Sequence, residues 1–382
     1  MHTFRRLFIL LPTLCAVVAL GAGTAQAQGG RGHGYGGGKP HSFLAGLASS
    51  PSISADVTGS NGDANPYGVA VVPNGFPSGG PLAPGDILVS NFNDSAGHQR
   101  TGTTIVSVTP SGTVSTFFTA PSNLAPVGLS TALVALRSGI IVVGSTPTTD
   151  GTPATISNGG LIFVDKSGNV LLNLTDSALL QGPWDMTADN SSRNAPILYV
   201  SNVLSGTITR INLRIRTVSG SPVPEVVSMT QIASGFLHRT DPSALVVGPT
   251  GLLLAGSHGR NGGSLYVADT GGNRITLIRD INGTGRDGTG RTVASGGPLE
   301  GPLVLAWAPN GDISLPPMGM PPVHPTLRKT SIAWLRSIRG QGKSLTLYSS
   351  IRPACQVRSS ASPCRKFPAS SLSFTSTTTA PR

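Results

Sequence analysis

The chain has 382 residues, of which 38% are hydrophobic, 11% are charged and 5% are aromatic. Its 50 glycines and 31 prolines exclude a protein built mainly of long helices and favour many short strands separated by turns. The formal net charge of +11 is concentrated at the C-terminal end, so it does not by itself indicate a nucleic-acid-binding protein. We therefore expect an all-β protein with a neutral body.

The first 27 residues have the pattern of a secretory signal peptide. Arg5 and Arg6 precede an apolar run over residues 7–21, and Ala25 and Ala27 supply small residues for cleavage. A permanent membrane anchor is the less favoured alternative, because the run is short and quickly followed by polar residues. The sequence thus predicts an exported protein, periplasmic or extracellular, with no transmembrane segment after signal cleavage.

A glycine-rich segment follows at residues 28–55. Its composition is typical of a flexible linker, since so many glycines oppose the ordering of a packed element. We expect the folded domain to begin after it, at residue 56.

The body of the chain, residues 56–312, contains a repeat of about sixty residues. A proline stands before a short apolar strand in five places, as in NPYGVAVVP from Asn65 and GPWDMTADN from Gly182. Successive prolines are separated by 60, 57, 59 and 60 residues: Pro66, Pro126, Pro183, Pro242 and Pro302. Such a period indicates a structural repeat.

Three further strands follow in most repeat units. The second strand is an apolar run, as in GDILVSN at 85–91 and PILYVSN at 196–202. The third and fourth fold back at a Ser-Gly turn, as in residues 103–118 and 160–174. Four antiparallel strands per unit predict one blade of a β-propeller, with six blades intended and about five in the present reading frame.

The segment GSLYVADTGGNRI, residues 263–275, carries a resemblance to a known family. Its core, LYVADTGGNRI, resembles the signature of NHL repeats, and the preceding P-x-G-[VL]-A-V element resembles their first strand. The resemblance covers roughly residues 60–312 and implies a six-bladed propeller. In the turn itself we expect Asp269 and Asn273 to bond turn backbone, and Gly271 and Gly272 to permit positive φ.

The last segment, residues 313–382, differs in composition from the rest. It contains ten Lys and Arg residues and no Asp or Glu, and its prolines interrupt a blade where a second strand should follow. We interpret it as a basic Ser/Pro/Arg-rich tail that is disordered or translated out of frame. A natural disordered tail remains open, and a nucleic-acid-binding arm is the last alternative, so we expect no nucleic-acid partner.

Residues that flank the blade prolines are the candidates to line a central channel and bind a ligand. They are Asn65, Trp184, Asp185, Asp241 and Glu300. The propeller is similar to calcium-dependent sugar-lactone hydrolases of the gluconolactonase type, a resemblance that implies calcium held by Asp185, Asp241 and Glu300. The alternative role of an acid beside a strand proline is turn capping, and whether any metal binds stays open.

We predict a monomeric, non-catalytic scaffold that binds a small ligand, a glycan or an extracytoplasmic protein. The alternative is a metal-assisted hydrolase or lyase that uses the channel acids. The body histidines, His98, His238 and His258, are expected in loops.

Overall fold

The computed structural model describes residues 57–350, apart from residues 243, 257–262, 284–287, 297–298, 300, 308–311, 316–331 and 337–346. Its strands form five four-stranded antiparallel sheets, each in chain order, which we number as blades 1 to 5. Blade 1 comprises β1 (Ala64–Val71), β2 (Ile87–Asn93), β3 (Thr104–Val108) and β4 (Val114–Thr119). Blade 2 comprises β5 (Leu129–Ala135), β6 (Ile140–Ser145), β7 (Gly160–Asp165) and β8 (Val170–Leu174).

Blade 3 comprises β9 (Pro183–Asp189), β10 (Ile197–Asn202), β11 (Thr207–Val218) and β12 (Ser221–Ala233). A two-stranded hairpin follows, β13 (Arg239–Asp241) and β14 (Leu245–Val247). Blade 4 comprises β15 (Pro249–Ala255), β16 (Ser264–Asp269), β17 (Arg274–Ile278) and β18 (Arg291–Ser295). Blade 5 comprises β19 (Ala306–Trp307), β20 (Asp312–Leu315), β21 (Ile332–Arg336) and β22 (Leu347–Ser350).

These sheets confirm the all-β fold and its four-stranded antiparallel blades. The helical content of the described residues is two single turns of 3-10 helix, Ser122–Leu124 and Pro153–Thr155. Among the same residues, no helix is long and apolar enough to cross a membrane.

The apolar runs of the second and third strands in blades 2, 3 and 4 exist because these blades are covered on both faces. Side chains alternate along a strand, so Ile141 and Val143 of β6 pack between blades 1 and 2. Ile140 and Val142 of the same strand pack between blades 2 and 3. Two further cores lie between blades 3 and 4 and between blades 4 and 5. Face-to-face packing of consecutive sheets is the architecture of a β-propeller.

A hydrogen bond from the second strand fastens most blades to the first strand of the next. Each donor is a hydroxyl in the second half of the second strand or just after it. Each acceptor is a backbone carbonyl oxygen in the first strand of the next blade or, for Pro302, shortly before that strand. The pairs are Ser90 Oγ to Ser130 (2.8 Å), Thr146 Oγ1 to Pro183 (3.1 Å), Ser201 Oγ to Thr250 (2.8 Å) and Thr270 Oγ1 to Pro302 (2.6 Å). The first strands therefore lie side by side at the centre of the ring.

The recurring Ser-Asn pair at the end of the second strand now has a structural explanation. Its serine, Ser90 or Ser201, makes the bond to the next blade. Its asparagine is buried and donates to a threonine of the third strand, Asn91 to Thr104 Oγ1 (3.1 Å) and Asn202 to Thr209 Oγ1 (3.0 Å). Part of the sequence repeat is therefore a repeat of buried hydrogen bonds.

The first strand of blade 4 is placed differently from the prediction. The sequence repeat put it directly after Pro242, but that segment forms the β13–β14 hairpin, and the strand begins at Pro249. The register supports this correction, because Pro249 faces Asp269 just as Pro66 faces Asn91 and Pro183 faces Asn202. Pro242 and Pro249 stand on either side of the short apolar run of β14. The sequence pattern favoured Pro242 as the start of the first strand, and the structure places the start at Pro249.

The turn after β16 also corrects one prediction. Asp269 Oδ1 accepts a hydrogen bond from Gly272 N (2.9 Å), as expected, but Asn273 Oδ1 accepts from Gly301 N (2.7 Å), outside the turn. Asn273 carries the positive φ of 51°, and the two glycines do not. A side chain at Gly271 would meet the carbonyl oxygen of Leu237, so this glycine is required by a close approach.

Blade 5 extends into the segment interpreted as a tail. Strand β20 begins at Asp312, and β21 and β22 fall between residues 332 and 350. The out-of-frame interpretation of residues 313–382 stays a prediction, as does a sixth blade.

Candidate functional site

An aromatic and aliphatic cluster lies where the first strands begin, at the centre of the ring. Tyr67 and Phe92 of blade 1 stack with ring centroids 4.2 Å apart, and Trp184 of blade 3 lies edge-on to both at 6.1 Å. We call this group the axial cluster, and its members are Tyr67, Phe92, Arg100, Trp184, Val203, Leu245 and Val246. Blade 1, the non-adjacent blade 3 and the β13–β14 hairpin therefore meet in this cluster.

Arg100 is the charged member of the axial cluster and is fully buried. Its Cζ lies 4.7 Å from the centroid of the Trp184 ring and 5.7 Å from that of Phe92, distances at which a cation interacts with an aromatic face. Its Nη1 donates to the carbonyl oxygen of Thr146 at 3.3 Å, whereas Nε and Nη2 have no partner. Burial lowers the pKa of Arg100 to about 9, opposed by the Tyr67 phenol, so the guanidinium remains charged at neutral pH.

The backbone around Arg100 is held in an unusual conformation. Its φ is 58°, in the left-handed region that a non-glycine residue adopts at some energetic cost. Blade 2 fixes it there, because Thr148 N donates to the Arg100 carbonyl oxygen at 3.0 Å. Gly128 packs so closely on the same carbonyl that a side chain would collide with it. The arginine is thus positioned by two loops of the neighbouring blade.

Trp184 and Asp185, two residues predicted from the sequence, lie on β9 at or beside the axial cluster. The indole Nε1 of Trp184 is buried and has no hydrogen-bond partner. The Asp185 carboxylate accepts a hydrogen bond from Leu252 N at 2.8 Å and so joins blade 3 to blade 4. Burial raises the pKa of Asp185 to about 7, against the backbone hydrogen bonds from Leu252 and Met186.

The surroundings of Asp185 account for the direction of this pKa shift. Its side chain keeps some accessible surface, yet protein atoms surround it closely enough to disfavour its charged form. A carboxyl group with a pKa near neutrality can both give and take a proton. Asp185 is therefore chemically suited to acid–base work, although its second role is structural.

Asn65 also lies near the axial cluster, two residues before Tyr67 on β1. It adopts a positive φ of 65°, and its Nδ2 donates to Asn93 Oδ1 at 3.0 Å. That bond ties the first strand of blade 1 to the second and occupies the amide of Asn65.

Of the two remaining predicted site residues, Asp241 is described, and it is not a member of the axial cluster. Asp241 lies on β13, where it pairs with Arg239 Nη2 (3.2 Å) and accepts from Ala244 N (3.1 Å), so it caps the hairpin turn. Glu300 lies outside the described residues. In the described part of the chain, no group of three or more His, Cys, Asp or Glu side chains is arranged to hold a metal ion.

The two described histidines lie in loops, as predicted. His98 Nδ1 lies 2.9 Å from Asp94 Oδ2 in the loop after β2, and both residues are partly exposed. His238 Nδ1 lies 2.9 Å from the Phe236 carbonyl oxygen, whereas His258 falls outside the described residues.

Arg100, Tyr67 and Phe92 were not predicted from the sequence. Tyr67 lies within the repeat element NPYGVAVVP but was not singled out. All three residues belong to blade 1, and they meet Trp184 because blade 3 packs against them at this end of the sheets. One signal was present, since Arg100 is an isolated cation in a loop directly after an apolar strand in a chain with few charges.

No family model matches the sequence, and no curated protein matches it. Among solved structures, the chain is similar to a streptogramin B lyase, with 15% identity and a TM-score of 0.36 over 66% of this chain, and it spans 62% of that protein's length. It is also similar to virginiamycin B lyase from Staphylococcus aureus, with 14% identity, a TM-score of 0.39 and coverage of 77% of this chain and 94% of the lyase. A putative 6-phosphogluconolactonase from Bacteroides uniformis gives 12% identity and a TM-score of 0.39, with coverage of 75% of this chain and 78% of that one.

The class of protein is defined by the blades themselves: it is an all-β propeller with an aromatic cluster on its axis. The finer assignment to NHL-like repeats stays a prediction carried by residues 265–275.

Proposed function

We propose that the protein is an exported propeller of the NHL-like kind that acts by binding, without catalysis, and that its ligand contacts the loops around the axial cluster. The ligand is a small molecule, a glycan or an extracytoplasmic protein. The proposal of export rests on the N-terminal segment, residues 1–27, whose pattern is that of a signal peptide.

The observation that carries this proposal is the convergence of blades 1 and 3 and the β13–β14 hairpin on one aromatic cluster. Three long connections in the described part of the chain lead to the same end of the sheets, at residues 94–103, 146–159 and 234–248, whereas the connection at 72–86 lies at the other end. Loops held by a rigid scaffold are where proteins most often carry binding residues. Stacked rings beneath such loops provide a firm base for a ligand that presents an apolar face.

Binding is tested by thermal denaturation of the exported chain, residues 28–382, against panels of metabolites, oligosaccharides and peptides. A true ligand raises Tm, and we expect Trp184→Phe to weaken that rise by at least several-fold because it removes the indole N–H and part of the ring surface. Trp307→Phe is the matched control, since Trp307 is exposed on blade 5 and lies outside the cluster. A ligand response unchanged in Trp184→Phe, or turnover of a compound that binds, contradicts the proposal.

A second candidate function is hydrolysis or elimination, as in gluconolactonase-like propellers, with calcium as the cofactor. Asp185 favours it, because a partly accessible carboxyl with its pKa raised to about 7 is typical of catalytic acids and bases. Asp185 also engages Leu252 N, and the binding function needs no further group, so we place binding first.

A further inference from the structure

Arg100 carries a buried charge that no carboxylate of the described residues neutralises. Four other arginines in that part of the chain form ion pairs, and all of them are more exposed: Arg214, Arg216, Arg239 and Arg274. The least exposed of these, Arg274, keeps 29% of its side chain accessible, whereas Arg100 has none. The exposed arginines are thus paired and the buried one is not. Desolvation favours the opposite distribution, because a buried cation needs a counter-charge more than an exposed one does.

The contacts that Arg100 does make leave part of its hydrogen-bonding capacity unused. The rings of Trp184 and Phe92 and the carbonyl oxygen of Thr146 offset some of the cost of burial. Three donor nitrogens of the cluster remain without acceptors: Arg100 Nε, Arg100 Nη2 and Trp184 Nε1. Buried donors in folded proteins are nearly always paired, so three in one cluster point to an acceptor that is bound there.

The position of the arginine is fixed before any ligand arrives. Thr148 and Gly128 hold its backbone in the left-handed conformation, and its side chain lies against the rings of Phe92 and Trp184, which meet edge to face. A guanidinium held in place loses little conformational freedom on binding. The half-buried Tyr67 and Leu204 mark where the cluster borders solvent.

We propose that the axial cluster binds a small monovalent anion, with Arg100 as the charged partner and Trp184 Nε1 as a second donor. The anion accepts hydrogen bonds and donates none, because every free group of the site is a donor. A halide ion and the carboxylate of an organic ligand share this chemistry. The inference rests on the unpartnered donors of Arg100 and Trp184 and holds whether or not the loop face binds a larger ligand.

The test compares wild type, Arg100→Met and Arg214→Met by thermal denaturation in sodium chloride, bromide or acetate, balanced to constant ionic strength with the bulky sulfonate isethionate. We expect wild type and Arg214→Met to show a saturable rise in Tm of roughly 2–5 °C, and Arg100→Met to lose it. Arg214 is a suitable control because it is exposed and distant in sequence from the site. A response to halides alone identifies an inorganic ion, whereas a stronger response to acetate identifies a carboxylate ligand.

A second measurement covers the case in which Arg100→Met does not fold. Crystals of wild type soaked in bromide are examined by anomalous diffraction, and we expect a bromide peak beside Arg100 and Trp184 Nε1. Any one of three results would overturn the proposal. Wild type could show no saturable response to any of the three anions, Arg100→Met could respond as wild type does, or the bromide peaks could lie only elsewhere.

Discussion

Ser201 of blade 3 donates a hydrogen bond from its Oγ to the carbonyl oxygen of Thr250 in blade 4, at 2.8 Å. The same Oγ accepts a hydrogen bond from Asp185 N at 3.1 Å. One buried hydroxyl thus joins the second strand of its own blade, the first strand of that blade and the first strand of the next.

Replacing this hydroxyl should loosen the ring at that interface. We expect Ser201→Ala to lower the free energy of unfolding by about 1–3 kcal/mol, because Thr250 O and Asp185 N are left buried without a partner. Urea denaturation measures the change. Ser228→Ala is the matched control, since its hydroxyl accepts from Asn212 at an exposed site, and an equal loss in both variants would contradict a role at the blade interface.

Asp185 predicts a pH dependence of stability. Its folded-state pKa of about 7 lies above the ordinary value of 3.8, so folding favours its protonated form. The contribution is complete below about pH 4 and is lost as the pH rises through 7. Relative to Asp185→Asn, which mimics the protonated acid, wild type should lose stability by up to about 1.4 kcal/mol per pH unit in this window.

The measurement is urea denaturation of both proteins at pH 4, 5, 6 and 7. Asp150→Asn serves as the control, because hydrogen bonds from Thr155 and Thr152 lower the pKa of Asp150 and move its titration below the window. A constant difference between wild type and Asp185→Asn across these pH values would show that the carboxyl titrates normally.

The ion pair of Asp269 and Arg274 should be costly to break. Asp269 is fully buried, and Arg274 Nε lies 2.7 Å from its Oδ2. Arg274→Met leaves that carboxylate without its cation, which should cost about 3–5 kcal/mol. Arg239→Met, at an exposed pair, should cost less than about 1 kcal/mol. In the double variant Arg274→Met/Asp269→Asn, the loss of stability should be smaller than the sum of the losses in the two single variants. A loss equal to that sum would mean that the two side chains do not interact.

Two glycines with the same left-handed backbone should differ in their tolerance of a side chain. Gly112 has φ of 88° with open space where a methyl group would stand, so Gly112→Ala should cost only about 1 kcal/mol. Gly159 has φ of 67°, and a methyl group there would collide with the carbonyl oxygen of Ser145. We expect Gly159→Ala to destabilise the protein by several times as much, and equal melting temperatures of the two variants would refute the close approach.

Calcium should leave the melting temperature of wild type unchanged. The Asp185 carboxylate is engaged by Leu252 N, and that of Asp241 by Arg239 and Ala244 N, so a metal would have to displace existing hydrogen bonds. Melting curves in calcium and in a chelator measure the effect. A rise of several degrees that Asp185→Asn abolishes and Asp241→Asn weakens would favour the hydrolase alternative instead.

The sequence predicted the strands well where two local signals agreed. The run GIIVVGS is apolar at every position from Ile140 to Val143 because both faces of β6 are covered, and the turn at Ser167-Gly168 ends β7 where expected. Alternation and turn residues lie within a few residues of each other, and the period needs only a comparison of the sequence with itself, so all three can be recognised without the fold.

The features that the sequence did not predict depend on contacts between distant segments. Pro249 begins the first strand of blade 4, rather than Pro242, because of its pairing with β16. Trp184 and Asp185 were found from their place beside a proline, yet the partner of Trp184 is Arg100, more than eighty residues earlier. No spacing rule connects two residues that meet only because blades 1 and 3 converge in the folded protein.

The division of β6 between two cores also bears on how the protein is made. The ribosome synthesises the blades one after another. Each newly completed sheet exposes one apolar face to solvent until the next blade has been synthesised. The chain therefore passes through a series of partly folded intermediates. In each of them, the last blade synthesised is the one whose exposed apolar face is prone to aggregation. The yield of folded protein then depends on how quickly translation supplies the next blade and on chaperones that shield the waiting face.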